Sequence, residues 1–170
     1  MMKRMICIAF LFAAISSAGL SAQSVNLSGT WRLNVAKSFM GQDHPFSDYL
    51  FTKRIVQSGD SITLTETGIH NSNVNIPLPD SESSMQVTAD GKEHEVQLLS
   101  IKPNKSTATN RVTATWQGNT LELVQLVSGL ATMTKHRLFL SEDGSQLVDL
   151  VEGHNIYGDL QQRLVFDKVQ

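Results

Sequence analysis

Past the first two dozen residues the chain alternates two kinds of connection, and this alternation constrains the fold more than any other feature. Four connections are short and centred on glycine: Ser-Gly-Asp at Gly59, Ala-Asp-Gly-Lys at Gly91, Gln-Gly-Asn at Gly118 and Ser-Glu-Asp-Gly-Ser at Gly144. Glycine, with Asn or Asp beside it, accepts the positive φ that tight hairpin turns impose. The connections between them are longer, at residues 36–48, 68–83, 100–106, 128–131 and 153–158. Runs rich in Val, Ile, Leu and Thr fill the intervals, as strands do. Ten strands are predicted, at 27–35, 50–57, 61–67, 83–88, 92–99, 107–116, 120–127, 132–140, 145–152 and 159–168.

Antiparallel strands reverse direction at every connection, so alternate connections share an end of the sheet. All the tight turns therefore gather at one end and all the longer loops at the other. The pattern predicts an all-β fold: a single antiparallel up-and-down β-barrel of about 8–10 strands, pinched at one end and loop-lined at the other. Closure removes the unpaired edges that an open meander would expose to aggregation, and a two-sheet sandwich removes them less completely.

Side chains alternate along a strand, so Leu27, Gly29, Trp31, Leu33 and Val35 share one face, the predicted core face. Val112, Ala114 and Trp116 repeat the pattern, as do His94, Val96 and Leu98, and Leu160, Leu164 and Phe166. The strands at 120–127 and 145–152 are apolar on both faces, which requires cover on both sides or leaves a surface for a partner.

The first residues run from basic (Lys3, Arg4) through apolar (5–15) to small, ending at Ala22. That order is the layout of a secretory signal peptide, and the apolar part falls short of the ~20 residues a membrane-spanning helix needs. The expected organisation is a signal peptide at 1–22 and one barrel domain at 23–170, with no transmembrane segment after cleavage and a periplasmic or secreted destination. The single cysteine, Cys7, leaves with the leader, so the mature domain can form no disulfide. Loss of Lys3 and Arg4 moves the formal charge two units below −2. A mildly acidic chain without clustered Lys and Arg offers nucleic acid no electrostatic footprint. The oligomeric state is left open.

No Gly-x-Ser-x-Gly elbow or glycine-rich phosphate loop is present, and the five histidines lack the close helical spacing of zinc motifs. His44, His70 and His154 fall in or beside the longer loops, where Asp43 and Asp48 offer them company; solvent exposure explains them more simply. No catalytic residue, metal or cofactor is assigned. Binding is a different matter. Phe39, Met40, Phe46, Tyr49 and Phe51 cluster around the first long loop and can act as a lid over a ligand or as a cap on the core. Met133, Lys135 and Arg137 share a strand face with Phe139: facing a lumen, the two cations would meet a carboxylate beneath an apolar tail; facing outward, they meet solvent.

Gly29-Thr30-Trp31 on the first strand resembles the Gly-x-Trp signature of lipocalins and related calycin barrels. More narrowly, Gly29-Thr30-Trp31-Arg32-Leu33-Asn34 with Ala36-Lys37-Ser38 is similar to small exported bacterial lipocalin-like proteins that begin GTWxLNxxKS, and the TADGK, TWQGNTL and LSEDGSQL turns are similar to theirs. The resemblance implies a barrel that binds a small hydrophobic or amphipathic ligand in its cavity, without catalysis. It also implies a latch at the closed end, Gly29 and Trp31 beneath an arginine from a late strand, for which Arg163 is the match. The alternative function is a cell-envelope interaction or structural module with a filled barrel.

Overall fold

The computed structural model describes residues 25–39, 49–70, 80–102, 105–127, 132–155 and 158–169. The expected signal peptide, and Met40, Asp43, His44, Phe46 and Asp48 of the first loop, lie outside them. Ten strands form: β1 (Gly29–Leu33), β2 (Tyr49–Ser58), β3 (Ser61–His70), β4 (Ser81–Thr88), β5 (Glu93–Lys102), β6 (Ser106–Gln117), β7 (Thr120–Val127), β8 (Thr132–Leu140), β9 (Gln146–Asn155) and β10 (Gly158–Lys168). Each pairs antiparallel with its sequence neighbours, and β1 pairs with β10, so the sheet closes into a barrel. The four tight turns carry their glycines at φ between 58° and 75° and share the pinched end. No helix among the described residues is long and apolar enough to cross a membrane.

Alternation divides each strand into a lumen face and an outer face. Trp31, Ile55, Ile62, Leu64, Val87, Val112, Leu121, Leu138, Leu147 and Phe166 point inward and form one core in the pinched half of the barrel. Each such side chain contributes roughly 1.5–3 kcal/mol on leaving water. Leu27 closes this core from below. Its amide donates to Gln57 Oε1 at 3.0 Å, and its carbonyl accepts from the Trp31 indole Nε1 at 3.1 Å. Trp31 is only 1% exposed, and its signature partner Gly29 is sterically required. Gly29 has φ +156°, and a Cβ there would lie 3.3 Å from the indole ring.

The cation above Trp31 is Lys168, not Arg163. Lys168 pairs directly with Trp31 across β1 and β10, and its Nζ lies 5.4 Å from the ring centroid. Arg163 is five residues away on β10; an odd offset turns it to the outer face, where its guanidinium donates to the Lys37 carbonyl at 3.0 Å.

The first strand is also shorter than predicted, because a 3-10 turn at Val35–Lys37 interrupts it and removes Val35 from the core face. The motif residues explain why. Asn34 accepts the Lys37 amide through Oδ1 and donates through Nδ2 to Asp167 Oδ2 at 2.7 Å. The Ser38 hydroxyl accepts the Val165 amide at 2.9 Å and donates to the Asn34 carbonyl at 2.7 Å, so one side chain serves the ladder where the backbone has left it. Phe39 then resumes pairing with Arg163. The Asn-x-x-Lys-Ser part of the motif is thus a repair of the β1–β10 seam.

Two further features bear on the interior. Paired register between β4 and β5 is confined to Glu82↔Lys102, Ser83↔Ser100 and Ser84↔Leu99, with an irregularity after Glu82. On the opposite side, Val148 and Val165 face outward yet are buried, flanked in register by Phe139.

Candidate functional site

Above the core the lumen changes character. Lys53 on β2 stands in line with Phe51 and Ile55, on the same face as an apolar run, and faces Glu66 across the β2–β3 pair. Asp149 occupies the equivalent inward phase of β9, between Leu147 and Val151, and His136 that of β8, next to Leu138. These four side chains meet inside the barrel. Lys53 Nζ lies 2.6 Å from Asp149 Oδ2 and 3.0 Å from Glu66 Oε1. His136 Nδ1 lies 3.1 Å from both Asp149 oxygens.

Burial by itself would drive the Lys53 ammonium towards its neutral form, but the Asp149 and Glu66 carboxylates more than offset it and hold the pKa above the ordinary lysine value. Burial likewise opposes ionisation of Asp149, and Lys53 and His136 overcome it, holding that carboxyl well below the usual range. The pair is therefore fully charged at neutral pH. The Phe166 ring, 5.4 Å from Lys53 Nζ, backs the ammonium on its apolar side and is itself packed against Phe51 at 6.1 Å.

This cluster forms one side of an internal cavity of about 120 Å³. Leu64, Met85, Leu98, Leu123 and Leu138 supply its apolar wall; Lys53, Glu66, His136, Ser83 and Gln125 supply the polar one. Met85 and Leu98 come from β4 and β5, beside the stretch where those strands lose their paired register. The cavity is reached by solvent: Glu66 faces the lumen and its side chain remains 39% exposed, whereas Asp149 beneath it has no exposure. Apolar walls with a few placed polar groups are the usual composition of small-molecule sites.

Met133, Lys135 and Arg137 lie on the outer face of β8, because His136 and Leu138 occupy the lumen phase. Met133 is 47% exposed, Lys135 pairs with Glu122 at 2.7 Å, and Arg137 pairs with Glu152. The two cations thus take the solvent-facing arrangement and do not line a lumen. Phe39 is on the outer surface as well, 58% exposed, where it borders a shallow groove with Arg137, Leu150, Glu152 and Arg163. Phe51 does point inward, but it packs on the core and Phe166. Tyr49 begins β2; its side chain, like Met40 and Phe46, lies outside the described residues. Of the histidines, His94 pairs with Asp90 and His154 with Asp159, and among the described residues no three His, Cys, Asp or Glu side chains are arranged to hold a metal ion.

A ten-stranded, closed, antiparallel meander with a polar cluster inside has clear structural neighbours. A fatty-acid-binding protein of Echinococcus granulosus superposes with a TM-score of 0.54 at 11% identity, covering 85% of this chain and 98% of that one. The fold is a closed antiparallel β-barrel like that of the fatty-acid-binding protein. The zebrafish ileal bile acid-binding protein, in complex with cholic acid, superposes with a TM-score of 0.51 at 17% identity, over 84% of this chain and 98% of its own. No family model and no curated protein sequence matches the chain.

Proposed function

We propose that this protein is an exported, non-catalytic binder of a small hydrophobic or amphipathic molecule, which it holds inside the barrel. The observation that carries the reading is the cavity itself: five apolar side chains face a charged and polar wall in a lumen that solvent reaches. The names of the structural neighbours, a fatty-acid binder and a bile-acid binder, support the same ligand class. Export rests on the basic, apolar and small residue order at 1–22, which supports a periplasmic or secreted location.

Size narrows the ligand. A cavity of 120 Å³ is close to the ~150 Å³ engineered cavity that takes up benzene and below the ~300 Å³ at which drug-sized pockets begin. The part of the ligand held among these residues is accordingly a ring or a short chain. Native mass spectrometry of protein purified from its own compartment tests the reading. A retained small molecule, released by organic solvent, is the expected result. Bare protein that also fails to bind hydrophobic fluorescent probes would refute it. A second reading, an interaction module, draws on exposed Leu50, Val56, Leu99 and Ile101; it gains ground if bare protein instead captures a partner through those strands.

A further inference from the structure

Resting on the reading of the lumen as a ligand site, we infer that the site selects a protonated amine or other hydrogen-bond-donating head group and rejects carboxylates. The argument is one of charge balance in a confined space. Four ionisable side chains face the polar wall: Lys53, Glu66, Asp149 and His136. Two carboxylates against one ammonium leave an excess negative charge when the imidazole is neutral, and no net charge when it is protonated. Lys53 is engaged in both states, and the one group that gains a donor on protonation, His136, holds Asp149 through Nδ1, so the wall offers an anion no excess of positive charge.

Lys53, the one lysine or arginine on the wall among the described residues, is clamped between Asp149 at 2.6 Å and Glu66 at 3.0 Å, with the Phe166 ring behind it. An entering carboxylate would have to displace one of these partners and would then lie beside the other. Lys135 and Arg137, which flank His136, are turned outward and engaged with Glu122 and Glu152. They cannot assist. A donor meets the opposite situation. Glu66 remains partly exposed and lines the cavity, and a carboxylate offers about four lone-pair positions, of which Lys53 occupies one direction. Ser83 and Gln125 on the same wall can each accept or donate and so complete the hydrogen bonding of the head group without deciding its charge. An ammonium on a ring-sized apolar body therefore places its charge at Glu66 and its carbon skeleton against Leu64, Met85, Leu98, Leu123 and Leu138.

Three probes of one size separate the possibilities: benzylamine, benzyl alcohol and benzoate, titrated calorimetrically into the full domain. The expected order of affinity is amine, alcohol, acid, with benzylamine about tenfold tighter than benzyl alcohol, the ratio a single charge-assisted hydrogen bond supplies. Glu66→Gln keeps the side-chain shape and leaves the Lys53–Asp149 pair intact. In that variant, with its melting curve recorded to verify folding, the amine should fall to the affinity of the alcohol. Benzoate binding as tightly as benzylamine, or an amine preference that survives Glu66→Gln, overturns the inference while leaving the barrel a binder. Failure of all three probes on a folded protein overturns the lumen site and the inference with it.

Discussion

Replacing Lys53 with methionine tests the interior most directly, because it removes the cation and keeps a side chain of similar length. Asp149 would remain with no exposure and no counter-charge except what His136 can supply. Breaking a buried pair by removing one partner costs about 3–5 kcal/mol, since the other charge stays desolvated. For a domain of this size that is a fall in melting temperature of about 6–20 °C near neutral pH. Glu66 contributes little to the loss, because it is exposed enough to be solvated when its partner goes.

The pH dependence gives a second readout with a defined sign. In the wild type the folded-state pKa of Asp149 lies below its unfolded value of 3.8, so its stabilisation is present above that pH and is lost as pH falls further. The folded-state pKa of Lys53 lies above its unfolded value of 10.5; its stabilisation is present below that pH and is lost as pH rises beyond it. In Lys53→Met burial without its counter-charge favours the protonated Asp149 carboxyl, and its proton uptake relieves the uncompensated charge, so the gap to wild type should narrow as pH falls from about 8 to about 5. The double variant Lys53→Met, Asp149→Leu should recover most of the loss, as apolar replacement of a whole buried pair commonly does. Urea melts across this range provide the assay. A single variant within about 1 kcal/mol of wild type at neutral pH, or a gap that widens with acid, would refute the account of Asp149 as a charge sustained by Lys53.

Other expectations concern the seam and the outer face. Gly29→Ala should destabilise by about 1–3 kcal/mol in thermal melts, since it forces a side chain at φ +156° into contact with the indole at 3.3 Å. Ser38→Ala should cost about 1–2 kcal/mol and speed hydrogen exchange at the Val165 amide, the group its hydroxyl receives. Gly153→Ala should be worse tolerated than a surface substitution, because its Cβ would lie 2.5 Å from the Met133 carbonyl oxygen, and soluble yield with circular dichroism would report it. Lys135→Ala and Arg137→Ala should each change stability by less than about 1 kcal/mol and leave probe affinity unaltered, as partly exposed outer-face pairs do.

The architecture was legible in the sequence because it depends on local chemistry. Glycine turns at alternating connections imposed the meander, and alternation placed Trp31 and Phe166 inside. The interior site escaped the same reasoning although its signal was present. Lys53 between Phe51 and Ile55, Glu66 after Ile62 and Leu64, and Asp149 between Leu147 and Val151 each interrupt a core-phase run with a charge. A single such residue reads as a strand surfacing; only the closed register brings charges of both signs from β2, β3 and β9 to one point. The misplacement of Lys135 and Arg137 has the complementary cause. Met133 and Phe139 made their face look apolar, and only the pairing of His136 with Val151 and Leu138 with Asp149 decides which face is inner. Arg163 answers the late-strand arginine of the resemblance, but its odd offset from Lys168, the residue paired with Trp31, turns it outward.

The seam between β1 and β10 has a further consequence for how the chain reaches this state. Every other strand pair joins sequence neighbours, but the bond from Asn34 to Asp167 spans 133 residues and that from Arg163 to Lys37 spans 126. The entropy of closing so long a loop is recovered only when the contact forms, which makes this pairing slow relative to the hairpins. Until it forms, the first and last strands are open edges, the state in which β-proteins capture one another. Asn34 and Ser38 then act at the most time-critical contact in the molecule, and variants there should raise aggregation during refolding by more than their effect on equilibrium stability would suggest.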